Sequence, residues 1–300
     1  MRTRILLSVG LLTSAVVLPL TLRGASVPQQ PLPASNEQTK HAPIYVAWQW
    51  PESTKRYRPR IRRTIEEPVQ LIQEEKKHSY LPVVDQEDIR EEHKIIVDEV
   101  LRALPERCQG TLTNFFVRYD NPGNRGLAGK NTIVMSGDPP EQEFRALFIH
   151  ELGHVFDLTH STECMYGTEA SGTTTFRDGS DFTYRDDPSY AFYRISWINE
   201  KTKKTGSSAS DFVTGYAAWD VFEDFAESFV YFVLQNEDFK NRATQNAQIA
   251  QKYAWFQTYL FPDGIDLAQG NYVWNGNVPW DATKLAYEWN TQEEQVASSR

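Results

Sequence analysis

Apolar residues along the chain fall into a few distinct patterns, and the first is one continuous run. Residues 5–22, ILLSVGLLTSAVVLPLTL, hold no charge. A 3.6-residue period appears next, in DQEDIREEHKIIVDEVLRAL from Asp85 to Leu104. There Ile89, Ile95, Ile96, Val100, Leu101 and Leu104 predict a helix that Pro105 ends. Two runs of β-type residues follow, LTNFFVRY and KNTIVMS, separated by turn-rich DNPGNRGLAG. An apolar helix comes after them. Asp138 reads as its N-cap, Pro139 and Pro140 as its first two positions, and Glu141 as the partner in a capping box. Residues 161–190 are rich in Gly, Thr, Ser and Asp and read as loop, as does NEKTKKTGSSAS. AAWDVFEDFAESFVYFVLQN predicts a long helix and NAQIAQKYAWFQTYLF a further helical piece. The aromatic stretch NYVWNGNVPWDATKLAYEWN precedes a polar tail, 291–300. The fold class expected from this mixture is α+β, with a small mixed sheet.

The apolar run changes meaning once its flanks are read. It follows the basic start MRTR and ends at the small residues of GAS, so residues 1–26 are read as a signal peptide. The other reading is an uncleaved anchor, because 18 residues is the lower edge of a bilayer span. No cysteine follows the run to carry a lipid. Residues 27–84 contain prolines and the basic stretch KRYRPRIRR, and read as a linker or N-terminal extension. The domain that follows then spans 85–290. Net charge is -9, and removing residues 1–26 with their three arginines leaves 28 basic against 40 acidic residues. That acidity argues against nucleic acid as a partner. Membrane contact is expected only if the N-terminal segment stays uncleaved. The two cysteines, Cys108 and Cys164, are expected to pair in an exported chain.

The chemistry lies in IHELGHVFDLTH, residues 149–160. His150 and His154 are i and i+4, so a helix aims both imidazoles at one point. Glu151 sits beside the first of them, where its carboxylate reaches a metal-bound water without ligating the metal. Phe144, Leu147, Phe148, Leu152 and Val155 make this helix apolar, and buried polar groups in such a helix need a partner. The pattern points to one Zn²⁺ ion. Gly153 allows a close approach by another element. A third protein ligand is required. His160 is one candidate, but the metzincin pattern H-E-x-x-H-x-x-G-x-x-H has Asp157 here in place of its glycine, and CMYG at 164–167 follows too closely for a Met-turn. The other candidate is the segment EDFAESF, where Glu223 and Glu227 are again i and i+4. One of these carboxylates can bind the metal while the other accepts the free N–H of a ligand histidine. On a helical wheel both glutamates sit at the border of an apolar arc, beside Asp220 and Asp224. That position also suits the start of a solvated face.

HELGH, a gap of some seventy residues, then Tyr216, Glu223, Phe225, Ala226, Glu227 and Phe229 together resemble a gluzincin, and more narrowly the catalytic domain of anthrax lethal-factor-type metallopeptidases. The likeness covers roughly residues 130–235. It implies a zincin-like domain in which Glu223 binds zinc, Glu227 supports a ligand histidine and Tyr216 faces the reacting carbonyl. The expected activity is hydrolysis of peptide bonds in a peptide or protein substrate, with Glu151 as general base and Tyr216 stabilising the oxyanion. Strand NTIVM is expected either as the sheet edge that receives an extended peptide or as a core strand. The rival expectations are a metzincin using His160, and a zinc-containing cell-surface binding protein without turnover. Glu151 favours an enzyme, since a pure binding site has no use for a base there. The expected location is secreted or extracytoplasmic.

Overall fold

The computed structural model describes residues 79–120, 125–159, 164 and 169–290, all within the compact unit Ile72–Arg300. The stretches read as signal peptide and most of the linker lie outside the described residues, as do His160 and the 291–300 tail. Residues 79–84 pack onto the domain rather than leaving it: Val84 is fully buried and the Leu81 N–H donates to Asp98 Oδ1 at 2.8 Å. Helix α1 (Glu91–Ala103) starts six residues later than the apolar period predicts. The segment before it turns instead, held by the Gln86 side-chain amide donating to Val83 O and Phe115 O. Ile95, counted in the apolar period, faces solvent.

After the short α2 (Glu106–Gln109), strands β1 (Asn114–Arg118), β2 (Gly126–Ala128) and β3 (Thr132–Ser136) form a mixed sheet in the order β1-β3-β2. β1 runs parallel to β3 and β2 antiparallel to it. β3 carries NTIVM, so that run is the central strand and not the edge. The edges are β1 and β2, and β2 forms inside the stretch DNPGNRGLAG read as turn.

Helix α3 (Glu141–Leu158) carries the two histidines. Its N-cap is Pro140, with no side-chain cap, and the expected Asp138 capping box does not form. The cause is steric. Asp138 and Pro139 each precede a proline, which pushes both out of the helical region. The Asp138 N–H donates to Ser136 Oγ instead. Every residue from Phe144 to Leu158 is buried, so α3 is a core helix without a solvated face.

The stretch 161–190, read as loop, holds a hairpin, β4 (Thr173–Asp178) and β5 (Asp181–Tyr184), and the start of α4 (Pro188–Ser196). Asp187 caps α4 by accepting the Ser189 N–H. Helix α5 (Val221–Leu234) lies across α3 and is buried along its whole length. The alternative reading, a solvated face shared with Asp220 and Asp224, is therefore not realised. Asp220 caps the helix, accepting the N–H groups of Phe222 and Glu223 at 3.0 and 2.9 Å. Asp224 pairs with Lys252 Nζ at 2.7 Å and accepts the Trp197 indole N–H at 2.8 Å. Helices α6 (Asn236–Ala243) and α7 (Ala247–Tyr259) pack behind α5. Phe225 meets Trp255 and Phe192 edge-on at 5.1 Å, and Phe232 meets Phe256 at 5.3 Å. Burying each such ring stabilises the fold by roughly 1.5–3 kcal/mol. The tail closes the molecule with a 3-10 turn, Ala282–Lys284, and the pair β6 (Ala268–Gly270) and β7 (Tyr287–Trp289).

Cys108 and Cys164 form a disulfide that joins α2 to the segment after α3, as expected. Such a bond fits an extracytoplasmic protein. Among the described residues no helix is long and apolar enough to cross a membrane.

Candidate metal centre

Two helices build the centre. Along α3, the 3.6-residue repeat sets His150 and His154 one turn apart on one face, with ring centroids 4.9 Å apart. Along α5, it sets Glu223 and Glu227 in the same relation. The helices approach closely because Gly153 has no side chain. A Cβ there would lie 3.0 Å from Ala226 Cα and 3.2 Å from Phe229 Cδ1. Glu223 and Glu227 thereby come level with His150.

One ligand atom each from His150, His154 and Glu223 lies within 4.8 Å of the others, and all three residues are buried. Glu223 Oε2 is 3.2 Å from His150 Nε2 and 3.5 Å from His154 Nε2. It is buried and has no hydrogen-bond partner. A buried, orphaned carboxylate oxygen facing two imidazole nitrogens is a donor set with room for a cation at its focus.

The electrostatics agree with that reading. Burial opposes charge on His150, but Glu223 and Glu227 outweigh it and hold the pKa well above the usual histidine value. His154 is likewise disfavoured by burial yet raised by Glu223. Burial pushes Glu223 up, and the two histidines more than reverse this, so its pKa falls below the usual carboxylate range. The cluster calls for positive charge at its centre, which protons or a metal ion can supply in competition.

Around these atoms the remaining groups take defined places. Glu227, fully buried, turns Oε1 to His150 Nδ1 at 3.0 Å. Its Oε2 accepts from Thr214 Oγ1 at 2.6 Å and from the Ala282 N–H at 2.8 Å. This is the support of a histidine's far nitrogen anticipated from the sequence. Tyr216 stacks on His150 with centroids 6.0 Å apart and donates its hydroxyl to Glu223 Oε1 at 2.8 Å. Glu151 is buried and makes no ligand contact. Burial raises its pKa, with His150 and His154 opposing. Its carboxyl abuts the edge strand: a Cβ on Gly126 would fall 2.1 Å from Glu151 Oε1. His160 lies outside the described residues. α3 runs on through Asp157 to Leu158, so the helix does not turn where the metzincin glycine would stand.

The structure thus brings together His150, Glu151, His154, Tyr216, Glu223 and Glu227. It adds Thr214, Ala282, Gly126 and Arg125, which the sequence did not point to. Arg125 binds Glu143, Asp281 and Thr283 beside the start of β2. Gly126 carried no signal of its own, because its stretch read as turn and a glycine marks a close approach only once the strand around it is known. Comparisons with protein-family models, with curated proteins and with solved structures gave no match.

Proposed function

We propose that this chain is an exported zinc metallopeptidase of the gluzincin type, resembling the lethal-factor-type catalytic domain, with zinc held by His150, His154 and Glu223. The observation that carries the reading is the meeting of these three ligand atoms beside a buried Glu151 at an open sheet edge. Two nitrogens and one carboxylate oxygen are a donor set suited to zinc with a position left for water or substrate. A zinc ion there supplies Lewis acidity and lowers the pKa of a water.

The chain's own residues do the rest. Glu151, beside the ligands and not among them, takes a proton from the attacking water and returns it to the leaving amine. Tyr216, whose hydroxyl now rests on Glu223, turns it to the developing oxyanion. Glu227 fixes the tautomer and ring angle of His150. Among the described residues β2 pairs only with β3, so its outer edge is open to an extended peptide. Such a strand would pass Gly126, where Glu151 lies closest.

The test joins metal content to a peptide-library digest of the exported chain. Glu151→Gln should keep its metal and lose about a hundred- to ten-thousandfold in rate. Glu223→Ala should lose the metal, while His160→Ala keeps it. A chelator should abolish cleavage by the wild type. Wild-type cleavage by clean Glu151→Gln protein, or metal lost from His160→Ala and retained by Glu223→Ala, would overturn the assignment.

A further inference from the structure

Five consecutive residues of the aromatic tail, Pro279 to Thr283, tie together the parts of the candidate centre. Pro279 O accepts the Gly215 N–H at 2.7 Å, and Trp280 O accepts the Tyr216 N–H at 2.8 Å. Asp281 Oδ2 and Thr283 Oγ1 each accept from the Arg125 guanidinium at 2.7 Å, beside the start of β2. The Ala282 N–H donates to Glu227 Oε2 at 2.8 Å. One short strap thus reaches the loop of Tyr216, the helix that carries Glu223, and the edge strand.

Trp280 is the exception to how this tail uses its aromatics. Tyr287 is buried, Trp274 lies under Arg242 and Trp289 lies under Arg145. Trp280 is 67% exposed although its backbone is pinned on both sides. Its indole lies on the bare backbone of Gly215, where a Cβ would fall 2.7 Å from Cε3. It faces the Tyr216 ring at 6.4 Å, and Tyr216 in turn stacks on His150. Three rings therefore lead from the metal ligands outward, and the outermost presents an apolar plate to solvent. An exposed indole held rigidly gains little from its own fold. It gains when a flat apolar group covers it.

We propose that Trp280 contacts substrate and selects a flat, apolar side chain on the peptide next to the scissile bond. The proposal rests on the peptidase reading. A peptide laid along β2 reaches the strap at the end where Arg125 is anchored, and Trp280 is the strap's exposed apolar side chain there.

The experiment measures binding, so it does not depend on turnover. Zinc-loaded full-length exported protein is titrated calorimetrically with glycyl and phenylalanyl hydroxamates, for the wild type, Trp280→Ala and Trp280→Phe. The hydroxamate anchors on the metal and the side chain reports on Trp280. The wild type should prefer the phenylalanyl compound. Trp280→Ala should weaken that compound about tenfold and leave the glycyl compound unchanged, at equal zinc content. Trp280→Phe should keep most of the preference. Equal weakening of both compounds, or none, overturns the inference while leaving the peptidase reading intact. Failure of the wild type to bind either compound overturns that reading, and the inference with it. If Trp280→Ala does not fold, Trp280→Gln, which keeps an extended side chain but not the ring, takes its place with the same expected loss.

Discussion

Asp157 sits near the end of α3, buried, with Oδ1 accepting the Tyr193 hydroxyl at 2.7 Å. Burial pushes its pKa from 3.8 up to about 7, and the pull of Ser189 and Tyr193 only partly offsets this. A carboxyl whose folded pKa is raised favours the fold while it is protonated. Its contribution is complete below the unfolded value near 3.8 and is lost as pH rises to about 7. The full swing is on the order of 4 kcal/mol. Asp157→Asn keeps an acceptor for Tyr193 and cannot ionise. It should unfold at higher urea than the wild type at pH 8 and match it near pH 4. Parallel pH profiles for the two proteins would refute the assignment. At this scale the sequence spoke clearly where helix geometry alone fixes a relation: His150 with His154, and Glu223 with Glu227. It was silent on Thr214, Ala282 and Arg125. Those act through a hydroxyl, a backbone N–H and a surface guanidinium brought in from distant segments, and no local spacing encodes them.

Among elements, the crossing of α3 and α5 decides whether the centre exists. Gly153 faces Ala226 backbone and the Phe229 ring, and neither can retreat freely in a packed core. Gly153→Ala gains up to about 1 kcal/mol of helix propensity, set against a contact tight by a few tenths of an ångström. Its stability should stay within about 1 kcal/mol of wild type. The helices should still part slightly, so zinc affinity in a competitive chelator titration should fall. Gly153→Val, which adds two methyl groups beyond alanine, should cost about 1–3 kcal/mol and weaken zinc further. Wild-type affinity in Gly153→Val would show that the close crossing does not set the ligand geometry. The helices were legible because α3 and α5 are densely apolar and α1 and α7 keep apolar residues at helical spacing. The strands β2, β4 and β5 were not. They are three to six residues long and sit among Gly, Asn, Asp and Thr, so local composition reads as turn while pairing with a neighbour makes them strands. Helix α5 misled in another way. Its acidic residues also suit a solvated face, but inside the fold Asp220 caps the helix, Asp224 pairs with Lys252, Glu227 meets His150 and Thr214, and Glu223 faces the two histidines.

For the whole molecule, the disulfide links the chemistry to a compartment. A bonded pair of cysteines fits an extracytoplasmic protein, folded where thiols are oxidised. The bond closes a sequence separation of 56 residues that contains the sheet and all of α3. By the chain-entropy account a loop of that size is worth about 4 kcal/mol. The grouping of the three candidate ligands does not depend on it directly. His150, His154 and Glu223 are aligned by α3 packing on α5, whereas the bond fastens α2 to the segment beyond α3. Cys108→Ser with Cys164→Ser should therefore lower stability by about 2–5 kcal/mol in urea unfolding and still bind zinc with near wild-type affinity while folded. Non-reducing peptide mapping of the exported wild type should recover the linked pair. Free thiols in that preparation would remove the argument from compartment. Loss of zinc by the folded double variant would mean that the bond, and not the helix crossing, holds the centre together.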